Sequence, residues 1–363
     1  MSLEILGIGT ATPEHSIEQL DAADLAQTLC WQSSGQLRVL QALHRRTGVR
    51  TRHSVLLESS TNSTPARQSF FQPAKSADDR GPTMASRMQR YESDAAPLAC
   101  AAATAALQDA QLSPADVTHL VTASCSGFAA PGFDIALIRD LGFSSDVART
   151  HIGFMGCHGS LNGLRVAQAF TDADPNACVL VCTVELCSLH HQYGWDPDKI
   201  VTNALFADGA AAVVGRRASA AGSSWRLAAS GSTIIADTED SMSWRIGDHG
   251  FFMTLSPQVP DTIRRHLPEW LGGWLGGHNL SVEEIGSWAI HPGGPRVLTA
   301  CADALGFDPG CLDPSREILA EFGNMSSPTV LFIVERLRER NAARPCVMLG
   351  FGPGLAIEAA LIR

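Results

Sequence analysis

The chain has 363 residues, of which 45% are hydrophobic and 18% are charged. This length and composition allow one large core, or two halves that share an interface. The formal net charge of −10 argues against a nucleic-acid-binding surface, because phosphate binding needs a basic face.

Short apolar runs predict buried strands along the whole chain. Met1–Gly7 is interpreted as a first strand rather than a signal peptide. Further strands are predicted at Thr118–Ala123, Ala177–Val184, Ala210–Val214, Ser287–Ile290, Pro345–Leu349 and Leu355–Ile362. Helical spacing of apolar residues predicts helices at Ala95–Ala110, Leu161–Phe170, Val259–Leu271, Pro295–Leu305 and Ser327–Arg340. Buried strands that alternate with helices are typical of α/β layers.

Two stretches of the chain lack this periodicity. Leu56–Arg87 is rich in polar residues and is expected to form a long surface excursion. Arg216–Ser224 clusters small and polar residues, and we expect a junction there between two halves, residues 1–220 and 221–363. In each half, a glycine-bearing turn that opens a helix precedes an apolar strand, which predicts a duplicated α/β unit.

Cysteine usage and hydropathy indicate the cellular compartment and whether metal sites or membrane spans are expected. The ten cysteines are scattered without a CxxC pair, so we expect no metal site. Reduced thiols predict a cytoplasmic protein. No run approaches the roughly 18 apolar residues of a membrane span.

Cys157 lies in Gly153–Ser160, just before the predicted helix Leu161–Phe170. The positive end of a helix dipole favours thiolate over thiol, so this position suits a nucleophile. The alternative is a buried structural thiol, as expected for most of the other cysteines.

Two downstream residues complete a possible reaction set with Cys157. His291 ends an apolar strand and is followed by Gly293 and Gly294, whose small size frees the backbone for a ligand. His158, His190 and His191 are competing histidines, and none of them sits in such a turn.

Asn324 lies in Gly323–Ser327, before the apolar run Val330–Phe332. Its amide suits stabilisation of an enolate, since it donates a hydrogen bond without protonating a carbanion. The alternative is a helix N-cap, a role that asparagine fills well.

In combination, these motifs resemble the type III polyketide synthases, the chalcone synthase-like branch of the thiolase superfamily. The resemblance rests on Gly156–Cys157, His291–Pro295, Gly323–Ser327 and Gly350–Gly354, which occur in the family's order over nearly the whole chain. It implies an α/β chain with the thiolase-type duplicated αβαβα layered fold, the catalytic residues Cys157, His291 and Asn324, and a homodimer.

The resemblance also implies the reaction. Cys157 would take an acyl group from a CoA thioester, and malonyl-CoA would lose carbon dioxide to give an enolate that extends the chain. A pyrone or resorcinol would then form by cyclisation, with no permanently bound cofactor. The stretch Ser243–Gly250 resembles bacterial alkylpyrone and alkylresorcinol synthases, which favours a fatty acyl starter.

Substrate-binding positions follow from the same resemblance. Phe206 and Met253 match gate residues between a CoA tunnel and the cavity, and Arg46 and Arg50 match cations that hold the CoA phosphates. Core packing is the alternative for Phe206, and a solvated helix end is the alternative for the two arginines. The remaining candidates, which match cavity-lining positions, are Cys187, His190, Trp244 and Ser326.

Two other function classes stay open at this point. One is a ketoacyl-ACP synthase-like condensing enzyme, which would need a carrier protein. The other is a non-catalytic binding protein that kept the thiolase fold, although such a protein has no need of the complete set of Cys157, His291 and Asn324.

Overall fold

The structure is a computed structural model that describes residues 2–31, 36–61, 67–218 and 225–363. Nine of the described strands form one sheet in the order β11-β12-β13-β8-β1-β7-β6-β4-β5, and two strand pairs, β2-β3 and β9-β10, form small separate sheets. The strands are β1 (Leu3–Ala11), β2 (Ser16–Glu18), β3 (Thr51–His53), β4 (His119–Ser124), β5 (Ala148–Gly153), β6 (Cys178–Leu186), β7 (Asp208–Arg217), β8 (Arg226–Ile234), β9 (Met242–Gly247), β10 (Gly250–Leu255), β11 (Ser287–Ile290), β12 (Cys346–Gly352) and β13 (Ala356–Ile362).

The helices of the described part of the chain include all five that the sequence predicts. They are α1 (Gln19–Thr28), α2 (Leu37–Arg46), α3 (Met84–Asp109), α4 (Phe133–Leu141), α5 (Gly159–Ala173), α6 (Pro197–Leu205), α7 (Val259–Gly276), α8 (Pro295–Leu305), α9 (Asp313–Phe322) and α10 (Thr329–Glu339).

Helix α3 shows where the sequence prediction was wrong. It begins at Met84 instead of Ala95, so it includes the end of the predicted surface excursion. The Thr83 side chain caps it by accepting a hydrogen bond from the Ser86 backbone N–H at 3.3 Å. Residues 62–66 of the predicted excursion lie outside the described residues.

The sheet confirms the predicted duplication. In the first half β4 pairs parallel with β6, which pairs antiparallel with β7. In the second half β11 pairs parallel with β12, which pairs antiparallel with β13. The halves meet where β1 pairs with β8, with Leu3 opposite Leu227. Residues 219–224 of the predicted junction lie outside the described residues.

The helices cover the sheet in layers. Leu164 of α5 and Leu331 of α10 belong to the central hydrophobic cluster, which also takes in Val181 of β6 and Met348 of β12. Helix α3 packs on the outer face of the first half, and α7 and α8 pack on the outer face of the second half. This arrangement is the predicted αβαβα layering, and it brings the turns before α5 and α10 into the protein interior.

Close packing of α3 on β1 depends on small residues. A Cβ added at Gly9 would lie 2.3 Å from the backbone nitrogen of Ala106. The helix can therefore approach the strand only because both surfaces lack side-chain bulk.

The cysteines, possible metal ligands and long helices of the described residues can be compared with the expectations from composition. All ten cysteines are free thiols. Within the described ranges, no group of histidine, cysteine, aspartate or glutamate side chains is arranged to hold a metal ion. No helix of the described residues combines the length and apolar character needed to cross a membrane.

Candidate active site

Cys157 lies in a short 3-10 turn, Gly156–His158, that leads directly into α5. Gly156 has a φ of +74°, and a Cβ there would lie 2.4 Å from the Pro353 ring. Only glycine fits this turn, because other residues would meet both backbone strain and a steric clash. The Cys157 side chain is buried, and the Ser326 hydroxyl donates to its sulfur at 3.6 Å.

The loop before α10 holds Asn324 next to the thiol. The Asn324 N–H donates to the Leu205 carbonyl at 3.0 Å, and the Asn324 carbonyl accepts from Ala207 N–H at 2.9 Å. Its side-chain Oδ1 accepts from the Ser326 N–H at 2.8 Å, which leaves the Nδ2 group as a donor. Burial raises the pKa of Cys157, and a hydrogen bond from the Asn324 side chain opposes this effect in part.

The N-cap interpretation of Asn324 is wrong. Pro328 occupies the N-cap position of α10, and no side chain caps that helix. Asn324 instead closes a local turn onto Ser326, and this turn fixes the direction of the carboxamide.

His291 directly follows β11 and is fully buried. Its backbone N–H donates to the Leu349 carbonyl at 2.8 Å. Both ring nitrogens lack a hydrogen-bond partner. Burial, with a smaller contribution from the neighbouring His158, lowers the pKa of His291 to about 3. The imidazole is therefore neutral at pH 7 and can donate a hydrogen bond to a bound substrate, whereas it can take a proton from Cys157 only if the resulting ion pair with the thiolate stabilises its charged form.

Burial also controls the thiol. It raises the pKa of Cys157 to about 12, and the negative charge of Glu185 acts in the same direction. The hydrogen bonds from Ser326 and Asn324 only partly oppose these effects. The position at a helix start therefore does not by itself produce a thiolate, and ionisation at neutral pH requires a base.

The predicted gate residues lie beside Cys157. Cys157, Cys187 and Phe206 belong to one buried hydrophobic cluster, and Met253 packs against it. Phe206 and Met253 also line a cleft of about 320 Å³, whose walls include Gly293, Gly294 and Arg46. The structure thus brings these seven predicted residues to one region, with Phe206 and Met253 shared between the cleft and the thiol cluster.

The two predicted arginines have different surroundings. Both are exposed, but Arg46 lines the cleft, whereas Arg50 lies 3.8 Å from Glu321 in an ion pair. Arg296, which sequence reasoning missed, lines the same cleft from the start of α8. Its proximity in sequence to Gly294 was the available signal.

His190 and Trp244 form an aromatic wall with Phe251, a residue that sequence reasoning did not single out. The His190 ring stacks on Phe251 with centroids 4.0 Å apart, and Trp244 meets both rings edge-on. The Phe251 N–H donates to His190 Nδ1 at 3.1 Å, so the other ring nitrogen donates to the Ser126 carbonyl. Trp244 Nε1 donates to the Cys125 carbonyl at 2.7 Å. Hydrogen bonds and stacking together hold this wall in place.

Glu185 is a further polar residue that sequence reasoning missed. It is fully buried in β6 and accepts hydrogen bonds from the hydroxyls of Ser126 and Ser327, each at 2.6 Å. Burial raises the pKa of Glu185, whereas its donors lower it. A carboxylate directly after the apolar run Ala177–Val184 was the sequence signal.

Comparison with known proteins gives a consistent family assignment. The family model "Chalcone and stilbene synthases, N-terminal domain" matches residues 2–217, and the corresponding C-terminal domain matches residues 226–363. A 1,3,6,8-tetrahydroxynaphthalene synthase of Streptomyces peucetius subsp. caesius is 36% identical over 99% of this chain and 92% of its own. The alpha-pyrone synthesis polyketide synthase-like Pks18 of Mycobacterium tuberculosis is 30% identical over 98% and 90%.

Solved structures agree with these sequence relatives. The crystal structure of PKS-I from the brown alga Ectocarpus siliculosus has a TM-score of 0.91 and 28% identity, and the match covers 100% of this chain and 99% of that one. The type III polyketide synthase domain of Steely1 from Dictyostelium has a TM-score of 0.88 and 25% identity, with the same coverage.

Proposed function

The chain belongs to the chalcone and stilbene synthase family of type III polyketide synthases, and from this membership we propose that Cys157, His291 and Asn324 carry out its condensation reaction. The family's members are acyltransferases that use CoA thioesters and need no permanent cofactor. The observation that carries the residue assignment is the position of Asn324, whose carboxamide is fixed beside the buried thiol.

Loading of the starter begins at Cys157. His291 takes the thiol proton, the sulfur attacks the acyl-CoA carbonyl, and the CoA sulfur leaves and takes up that proton. The products are an acyl-Cys157 thioester and free CoA. His291 suits this role because its ring nitrogens have no other partner.

Extension requires an enolate. Malonyl-CoA loses carbon dioxide, and the negative charge moves to its thioester oxygen, where His291 and Asn324 donate hydrogen bonds. Donors aimed at developing charge are worth about 3 to 4 kcal/mol each. The enolate carbon attacks the acyl-Cys157 carbonyl and the Cys157 sulfur leaves as a thiolate, which gives a CoA thioester that is two carbons longer. For the next extension this chain is transferred back to Cys157, and free CoA is released.

The experiment that tests this function supplies purified protein with an acyl-CoA starter and radiolabelled malonyl-CoA, without any carrier protein. We expect labelled polyketide from the wild type and none from Cys157→Ala. Product that forms only when an acyl carrier protein is added would instead support a ketoacyl-ACP synthase-like enzyme. If the CoA thioesters are intact and the protein forms neither an acyl adduct nor a product, a non-catalytic binding protein is supported instead.

The cleft suits the CoA moiety. Arg46 at the end of α2 and Arg296 at the start of α8 both line it, and guanidinium groups bind phosphate well. Gly293 and Gly294 leave room for the pantetheine arm to approach His291. Arg50, which is paired with Glu321, is the weaker candidate for phosphate binding.

The identity of the starter is a separate proposal. A fatty acyl starter, as the sequence favours, needs a channel that leads past Cys187. One observation favours a shorter acyl group: the wall of His190, Trp244 and Phe251 is held by hydrogen bonds and stacking. Turnover measured with a panel of starters from acetyl-CoA to palmitoyl-CoA decides between them. Fastest turnover with short starters would mean that the wall limits the cavity, and fastest turnover with long starters would mean that a fatty acyl channel is open.

Cyclisation to a pyrone or a resorcinol belongs to the same proposal. Mass and ultraviolet spectra of the product made from the best starter distinguish a lactone from an aldol product.

The assembly is proposed to be a homodimer. Strand β5 is an edge of the large sheet, and its side chains are largely exposed. Phe128 is 52% exposed and Met155 is 38% exposed, and Met155 lies next to the turn that carries Cys157. Multi-angle light scattering should give twice the chain mass, and a monomer mass would contradict the proposal.

Two further proposals concern compartment and organisation. Ten free thiols favour a reducing compartment, so we place the protein in the cytoplasm.

The halves 1–220 and 221–363 are proposed as the two duplicated units, the first with Cys157 and the second with His291 and Asn324.

A further inference from the structure

Arg52 is a buried arginine that the mechanism above does not use. It lies in β3, and only 5% of its surface is exposed. Burial lowers the pKa of its guanidinium to about 10, which keeps it charged at neutral pH. A buried cation is costly to a fold unless it has well-placed partners, so its contacts indicate what it stabilises.

The partners of Arg52 are backbone carbonyls at the end of α6. Its Nη1 donates to the Asn203 carbonyl at 2.6 Å and to the Phe206 carbonyl at 2.8 Å. These carbonyls lie at the negative end of the helix dipole, where a cation is stabilised. Phe206 is one of the residues that the cleft and the Cys157 cluster share, so Arg52 holds part of the backbone of the gate.

Arg52 also contacts the loop that carries the catalytic amide. A Cβ added at Gly323 would lie 3.0 Å from Arg52 Cγ, so the arginine stem packs directly against the residue before Asn324. Phe206 and Asn324 pair as an isolated parallel bridge. Arg52 therefore contacts both strands of this bridge: it binds the Phe206 carbonyl on one side and packs against Gly323, next to Asn324, on the other.

The surroundings of Arg52 are buried and polar. The carboxylate of Asp208 favours its charge, whereas Asp208 itself accepts hydrogen bonds from the Ser188 hydroxyl at 2.6 Å and the Val55 N–H at 2.9 Å. The positive charge of Arg52 adds to burial in lowering the pKa values of His44 and His191. Arg52 is thus the positively charged member of a buried polar cluster that also contains Asp208, His44 and His191 and that contacts the Phe206 backbone through Arg52.

We propose that Arg52 is a positioning residue for decarboxylation, because its guanidinium and stem together hold Phe206 and Asn324 in the arrangement that directs the carboxamide at the malonyl thioester. The backbone of Cys157 is placed by the start of α5 and by the Gly156–Pro353 contact, neither of which involves Arg52. Loss of Arg52 should therefore impair decarboxylation more than acylation of the thiol. This inference rests on the proposed function of Asn324.

The test compares Arg52→Met with Arg52→Lys and with Arg87→Met as a matched control. Arg87 is also buried and donates to backbone carbonyls, including Pro82 and His191 at 3.0 Å each. It has no hydrogen bond to Phe206 or Asn324. Three quantities are measured for each variant: release of carbon dioxide from malonyl-CoA, acylation of Cys157 by intact mass, and thermal unfolding.

For Arg52→Met we expect kcat for decarboxylation to fall about tenfold or more, with KM and the acylation rate each changed less than about threefold. Arg52→Lys keeps a donor and should recover part of the loss. Arg87→Met should lower the unfolding temperature without this selective loss.

Arg52→Met with wild-type decarboxylation, or with decarboxylation and acylation reduced equally, would overturn the proposal. If Arg52→Met does not fold, Arg52→Lys decides, because it should lose about threefold in decarboxylation and a wild-type rate would contradict the proposal. The proposed function fails separately if the wild type does not decarboxylate malonyl-CoA or if Asn324→Ala decarboxylates as fast as the wild type.

Discussion

Replacement of His291 by glutamine should show how strongly burial suppresses the Cys157 thiolate. Burial raises the pKa of Cys157 to about 12. At pH 7 a thiol with that pKa is ionised to about one part in 10⁵, against roughly three parts in a hundred for an ordinary thiol, a difference worth about 5 kcal/mol. The raised pKa keeps the proton on the Cys157 sulfur at pH 7. Without a base to accept that proton, the thiol should react faster only as the pH rises.

The assay is the rate of alkylation of Cys157 by iodoacetamide between pH 7 and pH 10, followed by peptide mass. In His291→Gln the rate should rise about tenfold per pH unit across this range, without a plateau. The wild type should react faster at pH 7 and depend less on pH if the ion pair between the Cys157 thiolate and the His291 imidazolium offsets the cost that burial imposes on each charge. Cys157→Ala gives the background from the other nine cysteines.

Two results would refute this reasoning. A plateau near pH 9 in His291→Gln would mean that burial does not raise the pKa of the thiol. Coincident profiles for the wild type and His291→Gln would mean that His291 is not the base.

Three further substitutions test the roles of single side chains. Cys157→Ser should lose product formation, since a hydroxyl does not ionise at neutral pH, and near-normal turnover by product chromatography would exclude Cys157 as nucleophile. Asn324→Ala should lower carbon dioxide release from malonyl-CoA about a hundredfold and starter acylation much less, whereas equal losses would argue against a role in enolate stabilisation. Met253→Phe should narrow the gate and shift products to shorter chains in mass spectra, and an unchanged product profile would remove Met253 from the gate.

Much of this fold could be predicted from the sequence. The buried strands have continuous apolar runs, and the αβαβα layering and the family resemblance are both confirmed. Short edge elements such as β5 and the pair β9-β10 were missed, because their residues are half-exposed and give a weak periodic signal. The start of α3 was missed because polar residues precede its apolar face.

The proposed catalytic residues Cys157, His291 and Asn324 could be singled out from the motifs as residue types, but their geometry could not be predicted. The sequence placed Cys157 at a helix start and therefore favoured a thiolate. Burial has the opposite effect on its pKa and is the larger effect, and burial of a turn depends on contacts between distant strands. Such contacts cannot be derived from local spacing.

Arg52, Arg296 and Glu185 were missed for a related reason. Arg52 lies in the basic run Arg45–Arg52, where a solvated surface was a reasonable expectation, yet it is the buried member. Its carbonyl partners are more than 150 positions away, at separations of 151 and 154. Only the folded chain brings these groups together.

The central claim is that Cys157 holds the growing acyl chain during CoA-dependent condensation. Intact mass spectrometry of the protein, quenched during turnover with an acyl-CoA and malonyl-CoA, tests it most directly. The account predicts an acyl adduct, followed by adducts extended by two-carbon units, that all disappear in Cys157→Ala. Adducts that persist in Cys157→Ala, or turnover by the wild type without any adduct, would contradict it.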